Sequence, residues 1–305
     1  MEKVIVIVGP TCSGKTGLAL LLAEMLGSEI ISADSRQIYK LLDIGTAKPI
    51  DSELKKIKHY FIDTLDPSDD FNASKFEKEA EAIIKHLHSK NKIPIVVGGS
   101  GLYIKALIDG IAETAESDIT LKNGLLELRK KFGNEYLFNE LKKVDPLSAE
   151  KMLPQNWKRV IRALEVFRLT GKPISSHHTN QKKKNHLKYF QFGILWEREI
   201  LNKRIENRVD EMIKAGLVEE VNNILLKGYS KNHNALNTVG YKEIMEHLDG
   251  KFSIERAIEL IKRNTRRYAK RQMTWFRADK RIKWFDINEI SEFDQIAQEI
   301  IVSVK

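Results

Sequence analysis

The residues best suited to chemistry lie near the N-terminus, in the segment Gly9–Thr16. Its sequence, GPTCSGKT, fits the pattern G-x-x-x-x-G-K-[ST], in which glycines let backbone N–H groups converge on phosphate oxygens at a helix N-terminus. Lys15 would add a positive charge at the terminal phosphate, and the Thr16 hydroxyl is suited to ligating Mg²⁺. The segment stands between an apolar run, Val4–Val8, and a helical pattern that stops at Gly27, which is the context this motif requires. The sequence therefore predicts a binding site for a di- or triphosphate, without specifying ATP.

Asp34 is the second candidate, because it closely follows a short apolar segment that ends at Ser32. In a parallel sheet, a carboxylate at the carboxyl end of a strand faces the ligand crevice. Asp34 is therefore placed to accept a proton from a substrate or to hold a metal ion, although an N-cap for the segment starting at Ser35 explains it as well. A glycine-rich segment, Gly98–Gly101, ends another apolar run, Ile93–Val97, where backbone could approach a ligand closely. That run carries no acidic residue at its end, whereas an NTPase needs one to organise Mg²⁺ and water.

The elements that must position these residues alternate between strands and helices in the N-terminal third of the chain, which favours a parallel α/β sheet. Strands are predicted at Val4–Val8, Glu29–Ser32, Ile93–Val97, Tyr189–Leu195 and Ile282–Phe285. Helical periodicity covers Gly17–Leu26, Phe76–His88, Leu121–Phe132, Tyr136–Lys143, Trp157–Leu169, Glu199–Ala215, Val218–Lys227, Tyr241–Leu248 and Ile254–Phe276. We predict an α/β fold with a P-loop NTPase-like parallel sheet core (1–110 plus 189–305), a helix-rich C-terminal part, and an inserted all-α domain (111–188).

Composition excludes several classes of protein. The low content of glycine (17) and proline (7) in 305 residues favours long helices over a turn-rich all-β fold. The single cysteine, Cys12, excludes a disulfide framework and a thiolate zinc site. No apolar run reaches the ~18 residues of a membrane span, and the N-terminus is not a secretory signal. A cytoplasmic protein without a membrane partner is the expectation.

The net charge of +9 is distributed unevenly along the chain. The segment Lys262–Lys283 holds ten lysines and arginines against one acidic residue, and Gln155–Lys188 holds nine against one. The rest of the chain carries more acidic than basic residues. Two basic surfaces on an otherwise acidic protein indicate a polyanionic partner. The three lysines at 182–184 fall in a polar segment, 179–188, that we predict to be an exposed loop. Neutralising these three lysines is expected to weaken binding of the polyanionic partner.

Several motifs together resemble one known family, the bacterial-type tRNA dimethylallyltransferases (tRNA isopentenyltransferases). They are GPTCSGKT at 9–16, SADSRQIY at 32–39, DIGTAKP at 43–49, GGSGLY at 98–103, RALEVF at 162–167, TGKP at 170–173, VGYKE at 239–243 and YAKRQMTWFR at 268–277. The GKT loop is shared by many families, whereas DIGTAKP after an aspartate-serine strand end is highly specific. The motifs run in family order, so the resemblance covers nearly the whole chain.

The resemblance implies a reaction. The phosphate-binding residues, Gly9, Pro10, Thr11, Cys12, Ser13, Gly14, Lys15 and Thr16, would hold the diphosphate of dimethylallyl diphosphate rather than ATP. The prenyl group would move to the exocyclic N6 of the adenosine that adjoins the anticodon on its 3′ side. Asp34 would be the general base, Thr16 would ligate Mg²⁺, and Lys15 with Arg208 would neutralise the leaving diphosphate. The missing acidic residue after Ile93–Val97 is then explained, because no water needs to be activated.

The resemblance also implies contacts with the tRNA anticodon arm. They fall on Asp34, Ser35, Arg36 and Gln37, on Ser100 and Lys122, on Lys158, Arg159, Val160, Ile161 and Arg162, and on Asn237, Thr238, Val239, Gly240, Tyr241 and Lys242. Ser100 stands where the family usually has Thr and keeps a hydroxyl, and Lys122 stands where it usually has Arg, which would weaken any bidentate contact at that position. An anticodon loop fits this reaction, since its bases are poorly paired and cost only a few kcal/mol to extrude.

Two other functions compete with this interpretation. A small-molecule P-loop kinase explains Gly9–Thr16 but not DIGTAKP or the two basic surfaces. An RNA-binding module with a regulatory nucleotide switch explains the charge but needs no general base. The expected partners are the tRNA anticodon arm and dimethylallyl diphosphate, and the protein is expected to act as a monomer.

Overall fold

The computed structural model describes residues 2–111, 118–178 and 186–304. Its strands are β1 (Glu2–Val8), β2 (Ile30–Ser32), β3 (His59–Tyr60), β4 (Ile95–Gly98), β5 (Leu187–Trp196) and β6 (Lys283–Ile287). Its helices are α1 (Lys15–Leu26), α2 (Asp51–Lys56), α3 (Ala73–Ser89), α4 (Gly101–Asp109), α5 (Ile119–Val144), α6 (Pro146–Ala149), α7 (Trp157–Thr170), α8 (Ile174–His178), α9 (Arg198–Lys214), α10 (Leu217–Leu226), α11 (Tyr241–Leu248), α12 (Ile254–Arg277) and α13 (Phe293–Val304). No helix in this described part of the chain is both long and apolar enough to cross a membrane.

The chain divides into two compact units, one formed by residues Met1–Ile108 with Asn185–Lys305 and the other by Asp109–Lys184. The first unit contains a six-stranded sheet in the order β3-β2-β4-β1-β5-β6. Every pairing in it is parallel. The parallel α/β core predicted from sequence is therefore confirmed.

The register of the three central strands determines where their ends meet. Val8 of β1 pairs with Gly98 of β4, and Ser32 of β2 pairs with Val97 of β4. The carboxyl ends of β1, β2 and β4 are thus level at one edge of the sheet, where ligands bind in open α/β folds. The two glycine-rich segments and Asp34 begin immediately beyond these ends.

The core of the first unit is built from apolar strands and from α1 and α13. All residues of Val4–Val8 are fully buried, as expected for a strand covered on both faces. Helix α13 was not foreseen; its buried residues Phe293, Ile296 and Ile300 join the same hydrophobic cluster as Leu18 of α1. Its apolar spacing at i, i+3 and i+7 is a helical signal that the sequence does carry.

The second unit is helical and has its own core. Leu125, Leu141 and Leu164 lie among the buried residues that pack α5 against α7. The two helices predicted over 121–132 and 136–143 form one run, α5, interrupted at Gly133, whose φ of 84° and ψ of 178° are not helical. Glycine adopts a positive φ at little cost, so the break falls at this residue.

Two sequence expectations need correction. The helical spacing of 254–276 places Trp275 and Phe276 on the side opposite the basic residues and predicts that both are buried; Trp275 is instead 40% exposed, whereas Phe276 is buried. The segment expected to be a loop up to Lys188 ends earlier, because β5 begins at Leu187 and pairs with β1. The lysines at 182–184 lie outside the described residues.

Candidate active site

A cavity of about 410 Å³ lies in the first unit, beyond the carboxyl ends of β1, β2 and β4. It brings together the phosphate loop (Gly9–Thr16), the segment after β2, and the helices α9 and α12. Its charged and polar lining includes Thr11, Lys15, Thr16, Asp34, Arg36, Gln37, Arg208, Thr238 and Gln272. The predicted catalytic residues Lys15, Thr16, Asp34 and Arg208 therefore share one cavity.

The phosphate loop owes its conformation to two residues with positive φ. Cys12 has a φ of 65°, and Gly14, which precedes α1, has a φ of 84°. Within the loop, the Ser13 N–H donates to Pro10 O at 3.3 Å. The Thr11 N–H donates outside the loop, to Gln272 Oε1 at 2.9 Å. Thr11 can therefore offer an anion its hydroxyl, while the backbone donors that remain lie farther along the loop and in the first turn of α1.

Side chains from β5 and α9 hold the outer side of this loop. Trp196 Nε1 donates to Ser13 O at 2.8 Å, and Arg204 Nε donates to Cys12 O at 2.9 Å. The Arg204 guanidinium lies 4.3 Å from the centre of the Trp196 ring, a cation–π contact. These two bonds hold the loop in place. Its N–H groups that are not already bonded, unlike those of Thr11 and Ser13, remain available to an anion. Neither Trp196 nor Arg204 was found by sequence reasoning, because no motif marks a residue that binds the back of a loop.

Lys15 is the charged residue of the loop, and its environment is electrostatically mixed. Its Nζ donates to Pro10 O at 3.2 Å. Burial lowers the pKa of Lys15; the nearby Asp34 carboxylate opposes this effect, and the Arg208 guanidinium adds to it. Two cations with one carboxylate close by leave an excess of positive charge, which suits a polyanionic ligand such as a diphosphate.

Asp34 performs the capping role that the sequence left open, but with one oxygen only. Its Oδ1 accepts the N–H of Arg36 at 2.8 Å and of Gln37 at 3.4 Å. Asp34 also lines the cavity beside Lys15. Because both bonds use Oδ1, among the described residues Oδ2 makes no hydrogen bond. The carboxylate is thus oriented by its own backbone while retaining an oxygen that can accept a proton.

Arg36 and Gln37 are tied to neighbouring loops. Arg36 Nη1 donates to Asn234 O at 2.6 Å, in the segment before α11. Gln37 Nε2 donates to the carbonyl oxygens of Thr46 and Ala47 at 3.1 and 3.0 Å. Both donors of the Gln37 amide are therefore used within the protein. Its oxygen accepts the Ser32 hydroxyl at 3.3 Å, which leaves one lone pair of that oxygen for a ligand.

The DIGTAKP segment (Asp43–Pro49) is held by one carboxylate. Glu220 of α10 accepts the N–H groups of Asp43, Ile44 and Gly45 at 3.0, 2.7 and 3.1 Å. The same carboxylate accepts the Tyr241 hydroxyl at 2.5 Å. A side chain at Gly45 would fall on the Tyr241 ring, so this approach requires glycine. The DIGTAKP segment thus has a structural role, because Glu220 fixes its backbone and two of its carbonyl oxygens, those of Thr46 and Ala47, accept the Gln37 amide.

The predicted RNA-contacting residues of the first unit differ in exposure. Asn237 and Lys242 are exposed and Thr238 is half-buried, whereas Tyr241 is fully buried and bonded to Glu220. Tyr241 can therefore influence RNA binding through packing only. Ser100 Oγ accepts the Ser35 N–H at 3.0 Å and so supports the Asp34 segment.

Those of the second unit show the same division. Lys122, Lys158 and Arg159 are exposed, whereas Val160 and Ile161 are buried in the core of that unit. Arg162 Nη1 pairs with the buried carboxylate of Glu165 at 2.7 Å. Contact with an external polyanion is thus open to the exposed cations, and Val160 and Ile161 act by positioning them.

Comparison with known proteins identifies the family. Residues 37–279 match the family model described as IPP transferase, which is well over half of the chain. The chain belongs to the IPP transferase family. It is 47% identical over 302 residues to the tRNA dimethylallyltransferase of Pelotomaculum thermopropionicum, covering 98% of this chain and 95% of that protein.

Solved structures of this family show the same fold. The full-length tRNA isopentenylpyrophosphate transferase from Bacillus halodurans superimposes with a TM-score of 0.73 at 36% identity, over 100% of this chain and 97% of that one. A eukaryotic dimethylallyltransferase, solved in a study of its action on tRNA, gives a TM-score of 0.83 at 32% identity. That match covers 99% of this chain and 78% of the eukaryotic one.

The site of this family member fits Mg²⁺ only in company with a diphosphate. Among the described residues there is no cluster of three or more His, Cys, Asp or Glu side chains that could hold a metal ion. Mg²⁺ retains several waters and is commonly held by one or two protein oxygens plus substrate phosphates. Thr16 lines the cavity and can offer one hydroxyl oxygen to the ion. An oxygen-only site of this kind suits the ion when the diphosphate supplies its remaining ligands.

Proposed function

We propose that this chain transfers a dimethylallyl group from dimethylallyl diphosphate to N6 of the adenosine 3′-adjacent to the anticodon in tRNA, releasing diphosphate. The observation that carries this proposal is the shared cavity, which places a phosphate loop and two cations beside an oriented carboxylate. Kinases of small molecules also need the loop. The DIGTAKP segment held by Glu220, the family match and the basic surfaces are explained by prenyl transfer to tRNA and not by a small-molecule kinase.

The diphosphate end of the donor is assigned to the phosphate loop. Backbone N–H groups of its C-terminal half and of the first turn of α1 would bind the phosphate oxygens, with Lys15 and Arg208 supplying charge. Negative charge grows on the leaving diphosphate as the allylic C–O bond breaks, so cations already in place lower the barrier. Thr16 and the diphosphate oxygens would hold Mg²⁺, which when bound offsets part of this negative charge.

The prenyl end of the donor is assigned to an apolar wall of the same cavity. Ile205, Val209 and Met212 of α9 lie at spacings of four and three residues, and all three line the cavity with Ile261 of α12. Ile205 and Val209 are buried, so they exclude water from this side. A five-carbon allylic chain fits such a wall, and the exclusion of water protects the reacting carbon from hydrolysis.

Asp34 is assigned as the general base. The adenosine N6 attacks the allylic C1, the new N–C bond forms, and the electron pair of the breaking C–O bond leaves with diphosphate. The proton lost by N6 passes to the Asp34 carboxylate, through the oxygen that carries no backbone bond. Gln37 lines the cavity, and the second lone pair of its amide oxygen, beside the bond from Ser32, would accept a hydrogen bond from the adenine amino group.

The tRNA is assigned to exposed cations in both units. On α12, Arg263, Arg267, Lys270 and Arg271 are exposed, whereas Lys262 and Arg266 form ion pairs with Asp210 and Glu206 of α9 at 2.7 and 2.6 Å. Only part of the basic surface predicted from the segment Lys262–Lys283 is therefore available to a polyanion. In the second unit the exposed Lys122, Lys158 and Arg159 take the corresponding role. We further propose that the protein acts in the cytoplasm as a monomer.

The proposed reaction is tested by measuring diphosphate release from dimethylallyl diphosphate with and without tRNA, with ATP assayed in parallel. We expect release that depends on tRNA and no comparable turnover of ATP. ATP turnover without RNA would support a small-molecule kinase instead. Tight tRNA binding without release from either compound would support a binding module.

A further inference from the structure

Gln272 of α12 joins the two glycine-rich strand ends. Its Oε1 accepts the Thr11 N–H of the phosphate loop at 2.9 Å. Its Nε2 donates to Gly99 O, beyond β4, at 3.0 Å. Gln272 is only 6% exposed; its bond to Gly99 is buried and its bond from Thr11 is partly buried. One amide thus accepts from the end of β1 and donates to the end of β4, a combination that an ionised carboxylate or a hydrocarbon of similar size cannot provide.

The backbone is shaped to admit this side chain. A Cβ added at Gly99 would fall on Gln272 Nε2, and one added at Gly101 would fall on the Trp275 ring. Helix α12 therefore contacts the second glycine-rich segment at two points, three residues apart on one face. The glycines at 99 and 101 let the helix approach closely enough for the Gln272 bonds to form.

The same connection continues to the proposed base. Ser100, the next residue after Gly99, donates its N–H to Ala33 O at 3.1 Å and accepts the Ser35 N–H on its hydroxyl at 3.0 Å. Ala33 and Ser35 are the two neighbours of Asp34. A continuous path of short hydrogen bonds and covalent bonds therefore runs from the loop that holds diphosphate to the residue that takes the proton.

We propose that Gln272 is a positioning residue that sets the alignment of Asp34 with the diphosphate cradle. The inference rests on the proposed transfer reaction, because alignment matters only if both ends act on one substrate pair. Misplacement by about 1 Å can cost about a hundredfold in rate. Gln272 lines the cavity, but its amide is engaged with Thr11 and Gly99 and is assigned no contact with either substrate. Its loss should therefore lower kcat and leave the Kd for tRNA unchanged.

Gln272→Glu tests the donor half of the amide. The ionised carboxylate still accepts from Thr11 but repels Gly99 O, whereas the protonated form can donate as the amide does. We expect kcat to fall about tenfold to a hundredfold at pH 8 and to recover partly as the pH is lowered, since burial and the facing carbonyl raise the pKa of such a group. Gln272→Leu should show a loss of similar size that does not change with pH.

The kcat of the wild-type enzyme is measured at every pH, and the ratio of the variant's kcat to the wild-type kcat is compared across the pH range. The ratio isolates position 272, because both proteins carry the same charged and titratable groups on the elements around it. These are Cys12 and Lys15 of the phosphate loop, Asp34 and Arg36 after β2, Lys48 before α2, Glu53 of α2, His59 of β3, Arg204 and Arg208 of α9, and Tyr268 on α12 itself. Thr274→Ala, at an exposed position two residues along α12, is the matched control and should behave as wild type.

A Gln272→Glu enzyme with wild-type kcat at pH 8, or with a defect that does not change with pH, would overturn the proposal. If neither variant folds, hydrogen exchange of the wild-type Thr11 amide decides. Protection of that amide supports the link, and exchange at the unprotected rate refutes it. Absence of prenyl transfer by the wild-type protein would instead refute the proposed reaction, and Thr11 exchange would still report whether Gln272 makes the bond.

Discussion

Replacement of Asp34 separates its chemistry from its structural role. Asp34→Asn keeps Oδ1 as an acceptor for the N–H groups of Arg36 and Gln37, at 2.8 and 3.4 Å, but the neutral amide cannot take a proton. Asp34→Ala removes both the base and the cap. Comparing the two variants therefore assigns any loss of activity to one role or the other.

The expected magnitudes differ in a defined way. A positioned general base contributes about 10²- to 10⁴-fold to a rate, so both variants should lose kcat by about that factor. Asp34→Ala also removes the two backbone bonds to Oδ1 in the turn after β2, each worth about 0.5–1.5 kcal/mol, so only this variant should lower the free energy of unfolding appreciably. Both variants should retain tRNA binding, because the exposed cations of α12 and of the second unit are untouched.

The assay is single-turnover transfer from labelled dimethylallyl diphosphate at saturating enzyme, with tRNA affinity measured separately by filter binding and stability by urea unfolding. Retention of a tenth or more of the wild-type rate by Asp34→Asn would refute the assignment of Asp34 as base. Loss of tRNA binding in Asp34→Asn would show that the carboxylate acts in binding rather than in proton transfer.

Three further predictions follow from the same contacts. Burial and Arg208 lower the pKa of Lys15, so its charge is lost before the pH reaches the ordinary value of 10.5, and calorimetry should show that inorganic diphosphate binds more weakly as the pH approaches it. Lys15→Arg should remove this weakening, and parallel pH profiles for the two proteins would contradict the prediction. Glu220→Ala should lower the free energy of unfolding, measured in urea, by about 2–4 kcal/mol, because four hydrogen bonds to one carboxylate are lost. An unchanged urea midpoint of unfolding would disprove that Glu220 holds the DIGTAKP segment. Arg267→Gln should reduce the slope of log K for tRNA binding against log salt concentration by about one unit. Lys262→Gln should change this slope less, because Lys262 is already paired with Asp210, and equal slopes for the two variants would argue against α12 as a contact surface.

Much of the architecture was predictable because the signals were local. A parallel sheet is indicated by the apolar run Val4–Val8, which is buried, by the GKT loop and by the alternation of strands with helices. The carboxyl ends of parallel strands then meet at one edge of the sheet. The position of Asp34 beside the phosphate loop followed from the same rule. Its capping bonds were an open alternative in the sequence, and the structure shows that capping leaves one carboxylate oxygen available.

The supports of the site were not predictable in this way. Arg204, Trp196 and Glu220 act through backbone groups far away in the chain, and no spacing rule reports such contacts. Gln272 offered a weak signal, as an amide at the helical spacing of Ile261, Ala269 and Phe276, which are buried. The ion pairs of Lys262 and Arg266 likewise depend on α9, so the sequence overestimated how much of the basic surface at Lys262–Lys283 is free.

The central claim is tested most directly by incubating the wild-type protein with dimethylallyl diphosphate, Mg²⁺ and unmodified tRNA, then digesting the RNA and analysing its nucleosides by mass. The account predicts one new adenosine derivative carrying a five-carbon group on N6, mapped to the position 3′-adjacent to the anticodon, and its absence with Asp34→Asn. An unmodified adenosine pool with the wild-type protein, or a prenyl group at another atom or position, would contradict it.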